Sequence, residues 1–250
     1  MVEGIAMKIC LITGANRGIG HEISIGLGLK GYHIFATCRT DTDVITLNDT
    51  FNSLNISATI FKLDVVDIDS IKELYTKLEK EIEHLDVLIN NAGILLDSTL
   101  MPHEVEPYIF QKTLSTNVVG PFFLISTFLP LLEKSYDARV INVSSDLGSL
   151  SEISQKVSKY DYISAPSYRI SKAALNMMTL VLSKNVKEGN IKFCSYSPGW
   201  CQTELDLLRD SNNAPNTAAQ GADTAIWLAS EAPEDIIDGN FFYNRKLISW

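Results

Sequence analysis

The chain has 250 residues, 46% hydrophobic and 20% charged, which is enough apolar side chain for one large core and excludes a disordered polymer. Its 21 basic residues face 30 acidic ones, a net charge of -9, and that field repels nucleic acid and anionic membrane surfaces, so neither is expected as a partner. The cysteines (Cys10, Cys38, Cys194, Cys201) have no CxxC or metal-ligand spacing, and His21, His33, His84 and His103 are scattered, so reduced thiols, no metal and a cytoplasmic location are expected.

Residues 1–6 are too short for a signal peptide, and no targeting segment is expected. Strands are predicted at residues 8–13, 32–37, 58–63, 87–90, 139–144 and 191–196, with a last one near 240–243. Several are continuously apolar, as strands buried on both faces are. Between them, helices are predicted at 19–30, 68–84, roughly 104–132, 168–187 and 217–229. In the second helix Ile71, Leu74, Leu78 and Ile82 recur at helical spacing. The apolar run 118–132 is too short for a bilayer and is interrupted by Pro121 and Pro130, so it reads as a buried helix. The polar segment 209–216 is a candidate mobile loop. This alternation predicts a single domain over residues 1–250: a Rossmann-type, doubly wound parallel β-sheet with helices on both faces.

The first strand ends in Thr13-Gly14-Ala15-Asn16-Arg17-Gly18-Ile19-Gly20, and a helix follows. Glycines there let the backbone approach a pyrophosphate, and the helix start supplies amide donors. The second strand ends in Thr37-Cys38-Arg39. An acid at that place grips a ribose 2′-OH, whereas an arginine holds a 2′-phosphate. Arg39, with Arg17 reaching the same phosphate, therefore points to NADP(H).

These residues resemble the short-chain dehydrogenase/reductase family, in family order along nearly the whole chain. The TGxxxGxG turn is Thr13 to Gly20, contributing Gly14, Asn16, Arg17, Gly18, Ile19 and Gly20. The resemblance implies that Asp64, beside Val65, contacts the adenine. It sets Asn91, Ala92 and Gly93 of the Asn90-Asn91-Ala92-Gly93 block beside the adenosine. Asn117 matches the active-site asparagine, Ser145 the serine, and Tyr168 with Lys172 the YxxxK pair. Pro198-Gly199 matches the turn before Thr203, which would hold the nicotinamide carboxamide. Trp200 reads equally well as pocket lining or core. Ala36-Thr37-Cys38-Arg39 and the run from Ser197 to Thr203 look like the carbonyl reductases of the sniffer and C-factor branch. A departure is the longer stretch between Ser145 and Tyr168, which places an extra loop, residues 152–163, near the active-site mouth.

A free tyrosine, with a pKa near 10, exchanges protons poorly at neutral pH. A lysine four residues on shares its helix face and favours the phenolate. Tyr168 is thus expected to be general acid in reduction and general base in oxidation, with Ser145 orienting the substrate oxygen and Lys172 also binding ribose. By the resemblance, Asn117 holds a water linking Lys172 to solvent. A second YxxxK match, Tyr108 with Lys112, lacks a serine-bearing strand end before it. Tyr160 and Tyr162 have Ser164 and Pro166 at the fourth position.

The implied function is reduction of an aldehyde, ketone or quinone to an alcohol. Oxidation of a steroid or polyol alcohol, and a nucleotide-sensing regulator with little turnover, are the alternatives. The small-molecule substrate is not named by the sequence. A homodimer is expected through the helix from 104 and the helix carrying Tyr168, unless the extra loop covers that surface.

Overall fold

The computed structural model describes residues 7–187, 189–206 and 208–250, so residues 1–6, where no targeting segment is expected, lie outside them. Among the described residues, eight strands form one sheet in the order β3-β2-β1-β4-β5-β6-β7-β8. They are β1 (Ile9–Ile12), β2 (His33–Cys38), β3 (Ala58–Lys62), β4 (Val87–Asn90), β5 (Ala138–Val143), β6 (Ile191–Tyr196), β7 (Asn240–Tyr243) and β8 (Lys246–Leu247). Strands β1 to β7 are mutually parallel and β8 is antiparallel. Strand order reverses between β1 and β4, which opens a crevice at their carboxyl ends, where ligands bind in such sheets.

Helices are α1 (Gly18–Leu29), α2 (Asp41–Ser53), α3 (Ile68–Leu78), α4 (Pro107–Leu114), α5 (Gly120–Leu132), α6 (Leu150–Ile153), α7 (Pro166–Asn185), α8 (Ala218–Ser230) and α9 (Glu234–Ile237). Continuously apolar strands feed two cores by alternation. Cys10 and Ile12 of β1, Ile141 of β5 and Tyr196 of β6 join α1, α2 and α8 on one face. Leu11, Val140 and Phe193 join α3, α5 and α7 on the other.

Helix α2 departs from the expected elements. Its sequence is rich in Asp, Thr and Asn, and only Leu47 and Phe51 are buried, so it carries almost no apolar stripe. A cap starts it instead: the Thr40 side chain accepts from the Asp43 amide, and Asp41 and Asp43 sit at the positive end of the dipole. Helix α3 ends at Leu78 rather than 84, because the charged residues after it bring only a partly buried Ile82 to the core. Strand β8 was not expected either; Asn244 and Arg245 both take positive φ and make a two-residue hairpin without the usual glycine.

The predicted 104–132 helix is interrupted. Pro107 starts α4, and a π-helical turn at Ser115–Val119 separates it from α5. The wide turn meets Pro121, which has no N–H to give, and Gly120, whose added Cβ would lie 2.7 Å from the Val65 carbonyl oxygen. By length and composition the run Pro107–Leu132 could cross a membrane. In this fold Leu124, Ile125, Phe128, Leu131 and Leu132 are buried against the sheet.

Arg139 ties β5 to the far end of α8. It is buried, forks onto Asp137, and donates to the carbonyls of Leu228 (2.7 Å) and Ala232 (3.1 Å). Arg139→Met leaves these acceptors unpaired and is expected to cost about 3 kcal/mol. Comparison of denaturant midpoints with the parent checks this; a loss under about 1 kcal/mol contradicts it.

Candidate active site

At the crevice, Thr13 and Asn91 pin the ends of β1 and β4 together. The Thr13 hydroxyl accepts from the amides of Asn91 and Ala92, both at 3.0 Å. In return the Asn91 side chain donates to the carbonyls of Thr13 (2.8 Å) and Gly14 (3.0 Å). Asn91 therefore shapes the glycine turn. Gly14 and Gly18 take φ of +66° and +56°, and a Cβ on Gly20 would fall 2.4 Å from the Gly14 oxygen, so glycine is required there. Helix α1 follows with no acid in its first turn and no side-chain cap, leaving its first amides for an anion. Ala15 and Gly20 are buried while Ile19 is half-buried against the core. This cradle fits the pyrophosphate of a dinucleotide.

Around the cradle the predicted residues separate by role. Asn16 donates to Asp43 at 3.1 Å and so braces α2. Arg39, just past β2, and Asp64, just past β3, are exposed. The Arg17 guanidinium pairs with Glu204 at 3.3 Å. Its neighbour Gly18 faces Thr203, whose Cγ2 would be 3.3 Å from an added Cβ, so the loop after β6 folds over the glycine turn. Gly199 takes φ +72° there, with Pro198 and Trp200 half-buried on either side.

Asn117, Ser145, Tyr168 and Lys172 come together at the next strand ends, all buried. The π turn aims Asn117 inward: its Oδ1 accepts from the Ile94 amide, and its Nδ2 donates to the Ile94 carbonyl and to Ser171, at 2.9 to 3.0 Å. One Oδ1 lone pair is the side chain's remaining capacity. Gly93 lies against it, since an added Cβ would be 3.4 Å from Asn117 Oδ1 and 3.7 Å from Lys172 Nζ. Lys172 donates to the Val143 carbonyl at 2.7 Å and sits 5.5 Å from the Tyr168 ring centre. The other YxxxK pair has the same internal spacing, 5.4 Å, but Tyr108 is 65% exposed and touches none of this cluster.

The electrostatics correct one expectation. Burial pushes the Tyr168 phenol upward; a hydrogen bond with Ser145 opposes this, while Asp146, Asp206 and Cys201 add to it. Burial also holds Lys172 down to about 8, so near that pH the lysine carries only part of the charge that was to lower the phenol.

The extra loop lies at this mouth, as expected. Its Tyr160 hydroxyl donates to Asp146, the residue after Ser145, which the sequence reading passed over. Trp200 is not core: the Arg209 guanidinium stacks 4.9 Å from its ring centre and 5.2 Å from that of Tyr162, joining the loop after β6 to the extra loop. Segment 209–216, expected as a loop, includes a short 3₁₀ turn at Ser211–Asn213. Beside these contacts lies a cleft of about 640 Å³ lined by Met101, Ile153, Tyr162, Ile170 and Arg209, among others. The four thiols are free and buried.

A family model described as short chain dehydrogenase matches residues 8–214. The chain belongs to the short-chain dehydrogenase/reductase family. It is therefore an oxidoreductase by family. Short-chain dehydrogenase anuI of Penicillium roqueforti is 30% identical over 242 residues, 94% of each chain. Two solved structures are similar at 30% identity. One is the carbonyl reductase Sniffer of D. melanogaster, with a TM-score of 0.85 over 98% of this chain and 100% of that one. The other is the NADPH-bound carbonyl reductase from chicken fatty liver, with 0.84 over 98% and 99%.

Lys172 sets a pH dependence of this short-chain dehydrogenase/reductase. Its folded value, about 8, lies below the ordinary 10.5, so between them the unfolded chain binds the extra proton. Its contribution to stability is therefore fully unfavourable below pH 8 and recovers as pH rises to 10.5. The stability of the parent minus that of Lys172→Met should rise by roughly 3 kcal/mol across this window. Urea unfolding of both proteins at matched pH measures it, and a flat difference contradicts a buried cation.

Proposed function

We propose that residues 1–250 act as a single NADP(H)-binding domain that reduces an aldehyde, ketone or quinone to an alcohol. The observation that carries this reading is the burial of Asn117, Ser145, Tyr168 and Lys172 around one point, while Tyr108 and Lys112 lie on the surface. A nucleotide sensor needs no such cluster. NADP(H) is supported by the cradle, by the exposed arginine at position 39, and by the similarity to an NADPH-bound carbonyl reductase.

The glycine turn and α1 would hold the pyrophosphate, Arg39 the 2′-phosphate, Asp64 and Val65 the adenine side, Lys172 the ribose, and Thr203 the carboxamide. When bound, the cofactor supplies the hydride. Ser145 donates a hydrogen bond to the substrate oxygen, and Tyr168 gives that oxygen its proton. Lys172 and Asn117 bring a replacement proton from solvent. In the reverse direction the same tyrosine acts as the general base.

A cytoplasmic homodimer completes the reading. Phe122 and Phe123 of α5 and Met177 and Val181 of α7 are exposed. These apolar side chains suit a two-fold contact, while the net charge of -9 disfavours nucleic acid and membrane surfaces. Light scattering at micromolar concentration should give twice the 27.7 kDa chain mass; the single-chain mass contradicts the dimer.

Two variants test the chemistry. Tyr168→Phe is expected to lower turnover at least about a hundredfold while NADPH affinity changes little, and Tyr108→Phe to stay within a few-fold of the parent. The opposite pattern would overturn the assignment. Arg39→Asp should weaken NADPH binding by about 3 kcal/mol and spare NADH; equal losses in fluorescence titrations with the two cofactors would show that Arg39 does not read the 2′-phosphate.

A further inference from the structure

Asp146 is the one carboxylate in direct covalent sequence with Ser145, and it is held from three sides. Ser197, after β6, donates to its Oδ1 at 3.1 Å, and Ser145 approaches the same oxygen at 3.5 Å. Tyr160 of the extra loop donates to Oδ2. Hydroxyl donors converging in this way favour the ionised carboxylate. The same Tyr160 packs with Leu147 against the apolar cluster formed by Leu95, Ile163, Ala165 and Tyr168. Behind it, Arg169 of α7 donates to the carbonyls of Tyr160, Ile163 and Ser164 at 2.7 to 2.8 Å, fixing the returning arm of the loop.

We propose that Asp146 is a positioning residue of this site: it fastens the extra loop, through Tyr160, to the strand end bearing Ser145, and places there a negative charge that opposes the Tyr168 phenolate. The inference rests on Tyr168 being the general acid. After burial and the opposing Ser145 bond, Asp146 is the largest contributor to the upward displacement of the Tyr168 phenol. Other charged or titratable groups share the environment. Lys159 and Glu152 of the extra loop and Arg169 of α7 act on or feel Asp146; Asp206 and Cys201, after β6, act on Tyr168. Lys172 Nζ lies 5.5 Å from the centre of the Tyr168 ring. Burial pushes Asp146 itself upward, with the Ser197 bond and Lys159 opposing, but in the alkaline range where a tyrosine titrates it carries its full charge.

Asp146→Asn keeps the shape and an acceptor oxygen for Tyr160 while removing the charge. Without that charge the phenolate is less disfavoured, so the Tyr168 transition should move to lower pH by about one unit. Two readings on the full chain measure it. One is the alkaline limb of kcat/KM for NADPH-driven reduction of an aromatic quinone. The other is the ultraviolet phenolate titration of the oxidised-cofactor complex, taken as the difference from the Tyr168→Phe background, which needs no turnover. Tyr160→Phe keeps the charge, so its transition should stay in place while protease cuts the 152–163 loop several-fold faster. If Asp146→Asn does not fold, Asp146→Ser removes the same charge and is read the same way. A transition that stays in place without the charge, or a loop no more exposed in Tyr160→Phe, overturns the inference. Absence of quinone turnover with a displaced ultraviolet transition would overturn the proposed reaction and leave this inference standing.

Discussion

Helix α7 is pinned to the sheet by buried polar contacts on one of its faces, and the geometry of the site depends on them. Ser144 donates to Asn176 at 2.6 Å, Asn142 to Thr179 at 2.9 Å, and Thr179 meets Ser195 at 2.9 Å. Lys172 reaches the Val143 carbonyl one helical turn before Asn176, and Tyr168 lies one turn earlier again. Each partner is buried, so a slip of one residue along β5 would strand several polar groups without bonds, at about 1–3 kcal/mol each. Gly148 permits the close approach: a Cβ there would be 2.6 Å from Lys172 Cβ. The distance from Ser145 to Tyr168 is thus set by the frame, and Asn90, bonded to Asn142 at 2.8 Å, carries the same lattice to β4 and the glycine turn.

The dryness that makes this lattice rigid also tunes its chemistry. Burial opposes charge on both Lys172 and Tyr168, driving the first down and the second up. The Ser145 hydrogen bond opposes the upward displacement of the phenol. The acids at Asp146 and Asp206 push it up, as burial does. The mouth outside them is bordered by side chains from two loops, with Arg209 stacked on Tyr162 and Trp200.

The parallel strands were legible because burial on both faces makes them continuously apolar, and the glycine turn because Gly14, Gly18 and Gly20 occupy a strand-to-helix junction. Tyr168 could be told from Tyr108 by the serine-bearing strand end before it, although the two lysines lie at almost the same distance from their rings. Helix α2 was not legible, since capping rather than an apolar stripe defines it. The π turn at Asn117 was hidden inside an apolar run that reads as one helix. Arg17 pairs with Glu204 across 187 positions of chain, a contact no local pattern encodes. Asp146 was within sight, directly after Ser145, but its significance comes from Tyr160, which only the folded loop delivers.

The central claim is that this buried cluster completes a hydride reduction of a carbonyl. Reduction of an aromatic quinone, an aldehyde and a ketone with NADPH deuterated at C4, each product examined by mass spectrometry and proton NMR, tests it most directly. The account predicts stoichiometric loss of NADPH absorbance and, for the aldehyde and ketone, one deuterium on the former carbonyl carbon. Tight NADPH binding with no deuterium transfer to any carbonyl compound would contradict it and favour a regulatory nucleotide-binding protein.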